Sequence, residues 1–194
     1  MLVVLAICAY LFGAIPTGLI LTRWFGKEDI RKAGSGNIGA TNVYRVAGRK
    51  LGIVTLIGDC LKGVIPVVIA QQAFDLTGTA LALVALAAFV GHCYPIYLGF
   101  KGGKGVATAL GIFLVFSPLA VLTVLIVFVL FLWRWRFISL ASIAAATAIA
   151  PAIYLTTGSW PIFLVTLAIA AIVIWRHKDN IKRLLSGTEN RFNF

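Results

Sequence analysis

Six apolar blocks fill this chain: 2–22, 51–70, 78–98, 105–132, 137–155 and 160–175. A helix crossing a bilayer needs about 20 apolar residues, with a range of about 17–25. Most of the blocks meet that length, and little chain is left between them. Hydrophobic residues make up 61% of 194 and charged residues only 12%. Mean hydropathy is +1.01. A soluble domain of this size has too little interior to hide so much apolar surface. A soluble enzyme, a disordered chain and a disulfide scaffold are thereby excluded. Cys8, Cys60 and Cys93 stand in apolar surroundings without metal-ligand spacing and read as buried thiols. The expected fold is an all-α polytopic membrane protein, one integral-membrane domain over residues 1–194.

The charges predict the topology. Lys and Arg number 17 against 6 Asp and Glu. The block 105–132 is too long for one comfortable span and is interrupted at Ser117-Pro118. If it is two passes and the N-terminus lies outside, sixteen of the seventeen basic residues fall on or beside the cytoplasmic face. The seventeenth, Lys62, lies within the second span. A single pass at 105–132 would put Arg134, Arg136 and the basic tail on the opposite side from Lys101, Lys104 and the basic residues of 23–50. The positive-inside rule favours the broken form. The expectation is seven transmembrane helices, N-terminus outside and C-terminus cytoplasmic. A re-entrant hairpin over 105–132 would give the same sidedness. Trp24, Trp133, Trp135, Trp160 and Trp175 all fall at span boundaries, as interfacial Trp does. No basic segment precedes the first block, so it reads as an uncleaved first helix.

Three segments do not read as membrane filler. The first is GSGNIGATNVYR, Gly34 to Arg45, followed by Arg49. Its GxGxxG lettering lacks the preceding strand that a dinucleotide fold requires. Clustered glycines permit close backbone approach, and their N–H groups with Ser35 and Asn37 can converge on an anion. Arg45 offers a planar fork for phosphate. The alternative is a flexible polar loop with incidental glycines. The second segment is Gly58-Asp59-Cys60-Leu61-Lys62-Gly63. Charges at membrane depth are costly and usually paired or functional. Asp59 and Lys62 share a helix face, so a self-neutralising pair and an ion relay are both open. The third is Gly91 to Pro95 followed by Phe100 to Thr108, and contains Lys101-Gly102-Gly103-Lys104-Gly105. It departs from the Walker pattern at Leu98 and at Gly105. Its glycines still leave N–H groups at a helix start, which favours anions, and Lys104 adds a charge. Lys101 and Lys104 could equally be topology determinants alone. His92 by itself reads as a buried, hydrogen-bonded histidine.

Taken together these residues resemble those of the bacterial acyl-phosphate–glycerol-3-phosphate acyltransferases, small integral-membrane enzymes of the cytoplasmic (inner) membrane. The matching stretches are GSGNIGATNVYR, GDCLKG, GHCYPIYLGFKGGKGVATALG, Arg136 to Ile143 and His177 to Glu189, in order over nearly the whole chain. The resemblance implies acyl transfer from acyl phosphate to the 1-hydroxyl of sn-glycerol 3-phosphate at the cytoplasmic face. It implies a seven-helix fold and no acyl-CoA or carrier-protein donor. The acyl-phosphate-producing enzyme is the suggested partner. Ser35, Arg45, Lys104 and His177 are the implied catalytic residues. Gly102, Gly103 and Gly105 accompany Lys104 at phosphate, and Gly58 and Gly63 bear on glycerol-phosphate binding. His92, Ser142 and Asn180 are implied pocket residues, and Glu189 a structural one.

An acyl phosphate already carries a good leaving group, so orientation and charge stabilisation are the main needs. Neither a GxSxG elbow nor an H-x4-D pattern occurs. Asn37, Arg49 and Lys101 join the binding set as anion partners beside Arg45 and Lys104. The proton acceptor could be His177, His92 or an oxygen of the acyl phosphate, of which the last is favoured. The rival reading is a membrane transporter for a phosphorylated or anionic solute. Six scattered acidic residues argue against a metal-dependent headgroup transferase. No metal, cofactor or nucleic acid is expected.

Overall fold

The computed structural model of the protein describes residues 1–192. The described residues form α-helices and one 3-10 turn, joined by loops. The helices are α1 (Leu2–Gly13), α2 (Thr17–Trp24), α3 (Ala40–Ala47), α4 (Arg49–Gln72) and α5 (Gly78–Cys93). They continue as α6 (Val106–Phe116), α7 (Pro118–Trp135), α8 (Ile138–Thr157), α9 (Trp160–Arg176) and α10 (Lys178–Leu185). Five stretches are long and apolar enough to cross a membrane: Leu2–Trp24, Arg49–Gln72, Gly78–Leu98, Pro118–Trp135 and Ile138–Thr157. The pair α9 and α10 makes a sixth candidate, bent by 53°. At 11 residues, α6 is shorter than these.

Two boundaries carry chemistry. The block 105–132 is two helices, and the break lies where Ser117-Pro118 suggested it. The Ser117 hydroxyl accepts the Ala120 N–H at 3.2 Å, with Pro118 in the first helical position. That proline lacks an N–H and is already set for the first turn. The first block, 2–22, is not the single helix that an unbroken apolar run predicts. Helix α1 ends at Gly13 and α2 starts after Pro16. Pro16 has no N–H to offer the Phe12 carbonyl and so cannot continue the ladder; the chain turns there, and the Ile15 carbonyl accepts the Thr17 N–H at 3.0 Å.

The chain divides into two compact units, Met1–Ile112 and the part from Phe113 onward. In the first, α1 packs along α5, and α4 packs against α1, α2, α3 and α5. Lipid tails are as apolar as leucine, so burial between spans gains little and close backbone packing must hold them together. Glycine supplies that closeness. A Cβ at Gly13 would overlap the Ala88 carbonyl, and one at Gly91 the Tyr10 carbonyl. The start of α6 meets α4 in the same way at Gly63 and Gly111. A small apolar core lies beneath the loop that precedes α3. Leu19, Ile30, Ile38, Val43 and Leu51 form it, with Ile30 and Val43 fully buried. In the second unit α7 packs on α8, α8 on α9, and α10 on both. The outer faces of α7 stay apolar at Leu122, Ile126 and Leu130, as lipid contact requires.

Candidate functional site

Asn42 organises the first motif, and no periodicity marked it out. It sits on α3 with only 2% of its surface exposed. Its amide Nδ2 donates to the carbonyls of Ile30 at 2.9 Å, Ala33 at 3.2 Å and Asn37 at 2.8 Å. Its Oδ1 accepts the Ser35 N–H at 2.8 Å. The loop bends around this amide, with Gly34 and Gly36 at positive φ. A side chain at Gly34 would strike Asn42 Oδ1. The segment is therefore a built lobe over its own core. The loop with incidental glycines is not what the structure contains.

Three of the loop N–H groups turn inward. Besides Ser35 N–H, the Gly36 N–H donates to Ala33 O at 3.1 Å and the Gly39 N–H to Asn37 Oδ1 at 2.8 Å. Buried or crowded backbone donors take the nearest acceptor, and here the loop supplies its own. What the lobe presents outward is side chain. Ser35 is exposed, and so are Arg45 in the last turn of α3 and Arg49 at the start of α4. Asn37 is spent on Gly39 through its Oδ1. Nearby, the Arg31 guanidinium is bound to Asp29, whose carboxyl its hydrogen bonds hold well below the usual range.

The third motif forms a tight turn against the end of α5. The Gly102 N–H donates to Cys93 O at 3.2 Å and the Gly103 N–H to His92 O at 3.1 Å. These two N–H groups are thus spent internally. Their glycines are required for a different reason. A Cβ at Gly102 would overlap His92 O and Pro95, and one at Gly103 the His92 imidazole at Nε2. Gly105 lies at positive φ with Phe89 and Cys93 in the space a side chain would need. Lys101 is exposed and Lys104 half-buried. Tyr10 steadies the same corner by donating its hydroxyl to Tyr94 O at 2.8 Å.

Behind this turn lies the second motif. Lys62 Nζ is 2.7 Å from Asp59 Oδ1, with both side chains almost fully buried. Apart from that ion pair, Asp59 Oδ1 has no hydrogen-bond partner among the described residues. Lys62 also donates to the Ile15 carbonyl at 2.6 Å and lies 3.3 Å from His92 Nδ1. The broken first helix therefore supplies an acceptor to the buried charge. The pair is self-neutralising, one of the two possibilities its spacing left open. Thr108 joins α6 to it by donating to Asp59 O at 2.9 Å. Gly58 and Gly63 are close-packing points: a Cβ would meet the Thr17 side chain at the first and the Thr108 carbonyl at the second.

In the second unit, Glu189 gathers three donors. Ser139 Oγ donates at 2.8 Å, Asn180 Nδ2 at 2.6 Å and Arg183 Nε at 2.7 Å. Burial alone would raise this carboxyl, but the three hydrogen bonds and the Arg183 charge outweigh it and hold it below its ordinary value. Asn180 is thus fixed, and buried, on α10. His177 is 3% exposed at the bend between α9 and α10, its Nδ1 2.8 Å from the Val173 carbonyl. Ser142 is buried on α8 and donates to Ile138 O at 2.8 Å.

Known proteins match this chain over nearly its whole length. The family model described as glycerol-3-phosphate acyltransferase matches residues 3–187. A glycerol-3-phosphate acyltransferase of Syntrophotalea carbinolica is 61% identical over 189 residues, covering 97% of this chain and 96% of the relative. A crystal structure of PlsY (YgiH), an integral membrane glycerol 3-phosphate acyltransferase in its glycerol 3-phosphate form, superposes with a TM-score of 0.93. It is 42% identical and covers 99% of this chain and 96% of that one. The lysophosphatidic acid form of PlsY matches with a TM-score of 0.89 at 40% identity, over 99% and 95% of the two chains. Full-length coverage by the family, a close relative and two solved structures leaves one assignment: this chain belongs to the glycerol-3-phosphate acyltransferase family.

Proposed function

We propose that the protein transfers the acyl group of an acyl phosphate to the 1-hydroxyl of sn-glycerol 3-phosphate. The products are 1-acyl-glycerol 3-phosphate and inorganic phosphate. The observation that carries this reading is the presence, within one compact unit, of two glycine loops that bear cations. Arg45 and Arg49 flank one and Lys101 and Lys104 belong to the other. These cations, with Ser35 and Asn37 beside them, recognise the phosphates. The solved relatives support the acceptor and the product, since PlsY is described in a glycerol 3-phosphate form and in a lysophosphatidic acid form.

The hydroxyl oxygen attacks the acyl carbonyl carbon, the new ester C–O bond forms, and the bond to phosphate oxygen breaks. The hydroxyl proton leaves with an oxygen of the departing phosphate. Arg45 and Lys104 neutralise charge that develops on the phosphates and the carbonyl oxygen, the largest contribution available to such a site. His177, Asn180 and Ser142 keep the substrate-facing roles that the resemblance implies. Seven passes in a bacterial cytoplasmic membrane, with N-terminus outside, place the cationic loops in the cytoplasm. There a membrane-bound producer of acyl phosphate could deliver its product.

Purified protein in detergent is to be given labelled glycerol 3-phosphate with palmitoyl phosphate, palmitoyl-CoA or palmitoyl-carrier protein. Product with palmitoyl phosphate alone is expected. Product with either thioester at a comparable rate overturns the donor assignment. His177→Ala bears on the proton. A general base is worth about 10²–10⁴-fold, so a loss under about tenfold is expected if phosphate takes the proton. Loss of several orders of magnitude with substrate binding intact would refute that route.

A further inference from the structure

The buried charges of α4 have a partner across the bundle. Lys62 Nζ lies 2.7 Å from Asp59 Oδ1, 2.6 Å from Ile15 O and 3.3 Å from His92 Nδ1. An ammonium has three N–H donors and no lone pair to accept with. The two oxygens are acceptors, so the third contact can be a hydrogen bond only if His92 Nδ1 accepts. Asp59 Oδ1 is 3.8 Å from His92 Nδ1, much farther than from Lys62. The carboxylate therefore neutralises the lysine and not the imidazole. A neutral ring whose Nδ1 accepts carries its proton on Nε2. Nε2 is the atom that a side chain at Gly103 would strike, so the N–H stands against the Lys101–Gly105 turn. His177 is arranged the opposite way. Its Nδ1 faces the Val173 carbonyl at 2.8 Å, an acceptor, so Nδ1 holds the proton there.

We propose that Lys62 is a positioning residue: clamped by Asp59 and Ile15, it locks His92 as the Nε2–H tautomer, a fixed hydrogen-bond donor at the phosphate turn. His92 is then excluded as a proton acceptor. The inference rests on the proposed phosphate-binding role of the 101–105 turn. Its tautomer half stands without that role.

The chain contains two histidines, so ring-labelled protein in bilayers gives two pairs of 15N signals by solid-state NMR. A His177→Gln variant identifies the His92 pair. The expected result is His92 with Nδ1 unprotonated and Nε2 protonated, and His177 reversed. A His92 with Nδ1 protonated, or with both nitrogens protonated, overturns the proposal whatever the enzyme does. The positioning role is tested with D59L/K62M. A buried ion pair can be exchanged for apolar residues at little or no loss of stability. The expected outcome is a Tm near that of the parent, inhibition by inorganic phosphate weakened about tenfold, the size of one lost hydrogen bond, and a mixed His92 tautomer. Unchanged phosphate inhibition overturns positioning. Should the double variant not fold, Lys62→Met is read by the same NMR signals, and an unaltered His92 tautomer there also overturns it. Phosphate that fails to inhibit even the parent enzyme refutes the phosphate turn itself, leaving the tautomer result to stand or fall separately.

Discussion

Asn42 turns all of its hydrogen-bonding capacity back onto the loop that precedes it, one acceptor and a bifurcating donor pair shared among four backbone groups. Removing the amide leaves those groups to water or to nothing. Each buried polar group left unsatisfied costs about 1–3 kcal/mol. Asn42→Ala is expected to destabilise the protein by about 3 kcal/mol and to raise KM for glycerol 3-phosphate, because Ser35 loses its tether. Asn42→Asp should be worse, since a carboxylate would face three carbonyl oxygens. A parent-like Tm and KM in both variants would show that the lobe does not depend on this amide. Gly103 offers a second residue-scale test. Gly103→Ala puts a methyl into the His92 ring, and overpacking of this kind costs about 1–3 kcal/mol. The turn must move, so kcat/KM should fall at least tenfold while the helical circular dichroism stays unchanged. Full activity would mean that the turn has slack the packing does not suggest.

At the scale of elements, α10 has only 8 residues, too few to hold together alone in water. Glu189 ties it to α8, reaching Ser139 on one side and Asn180 and Arg183 on the other. Its carboxyl is held below the ordinary glutamate value near 4.5. The folded state thus prefers the ionised form. Its contribution is fully present above the unfolded value and is lost as pH falls through the depressed folded one. The thermal stability of the parent should fall as pH drops below about 4.5 toward that lower value, and Glu189→Gln should be less stable at pH 7 and flatter through that window. Parallel pH curves for the two proteins would remove Glu189 from this role. The sequence exposed some of these elements and concealed others, for physical reasons. Ser117-Pro118 marked the α6–α7 break because a proline and a capping hydroxyl act locally. The α1–α2 break was hidden because the apolar run continues past Pro16 without a change in composition. The cations of the glycine loops were legible. The destinations of the loop N–H groups were not, because Asn42, His92 and Cys93 reach them through the fold and not through spacing.

For the molecule as a whole, the open quantity is how many times it crosses. Five stretches qualify by length and composition, α9 with α10 makes a bent sixth, and α6 is 11 residues. At 1.5 Å per residue α6 spans about 17 Å, against a hydrocarbon core of about 30 Å. It crosses only if the bilayer thins or neighbouring helices shield its ends. The basic residues constrain where the path returns, and a full double crossing and a re-entrant hairpin meet that constraint equally. Arg134 lies in the last turn of α7 and Arg136 just after it, and Arg176 ends α9 with Lys178, Lys182 and Arg183 beyond it in α10. These groups share the cytoplasmic side only if the chain passes an even number of times between Lys104 and Arg134. Single cysteines placed in a protein whose Cys8, Cys60 and Cys93 are changed to Ala should be labelled by an impermeant maleimide from one side each. Asp75→Cys and Ser159→Cys are expected to react from outside, Lys27→Cys and Asn190→Cys from the cytoplasm. Leu119→Cys, 62% exposed in the parent at the start of α7, should react from outside if α6 crosses completely. Ser159→Cys reacting from the cytoplasm with Asn190→Cys outside would refute the even passage. Leu119→Cys silent from outside, with the other four as expected, would make α6 and α7 a re-entrant hairpin. The two glycine loops would then keep their side of the membrane while the crossing number fell from seven to five.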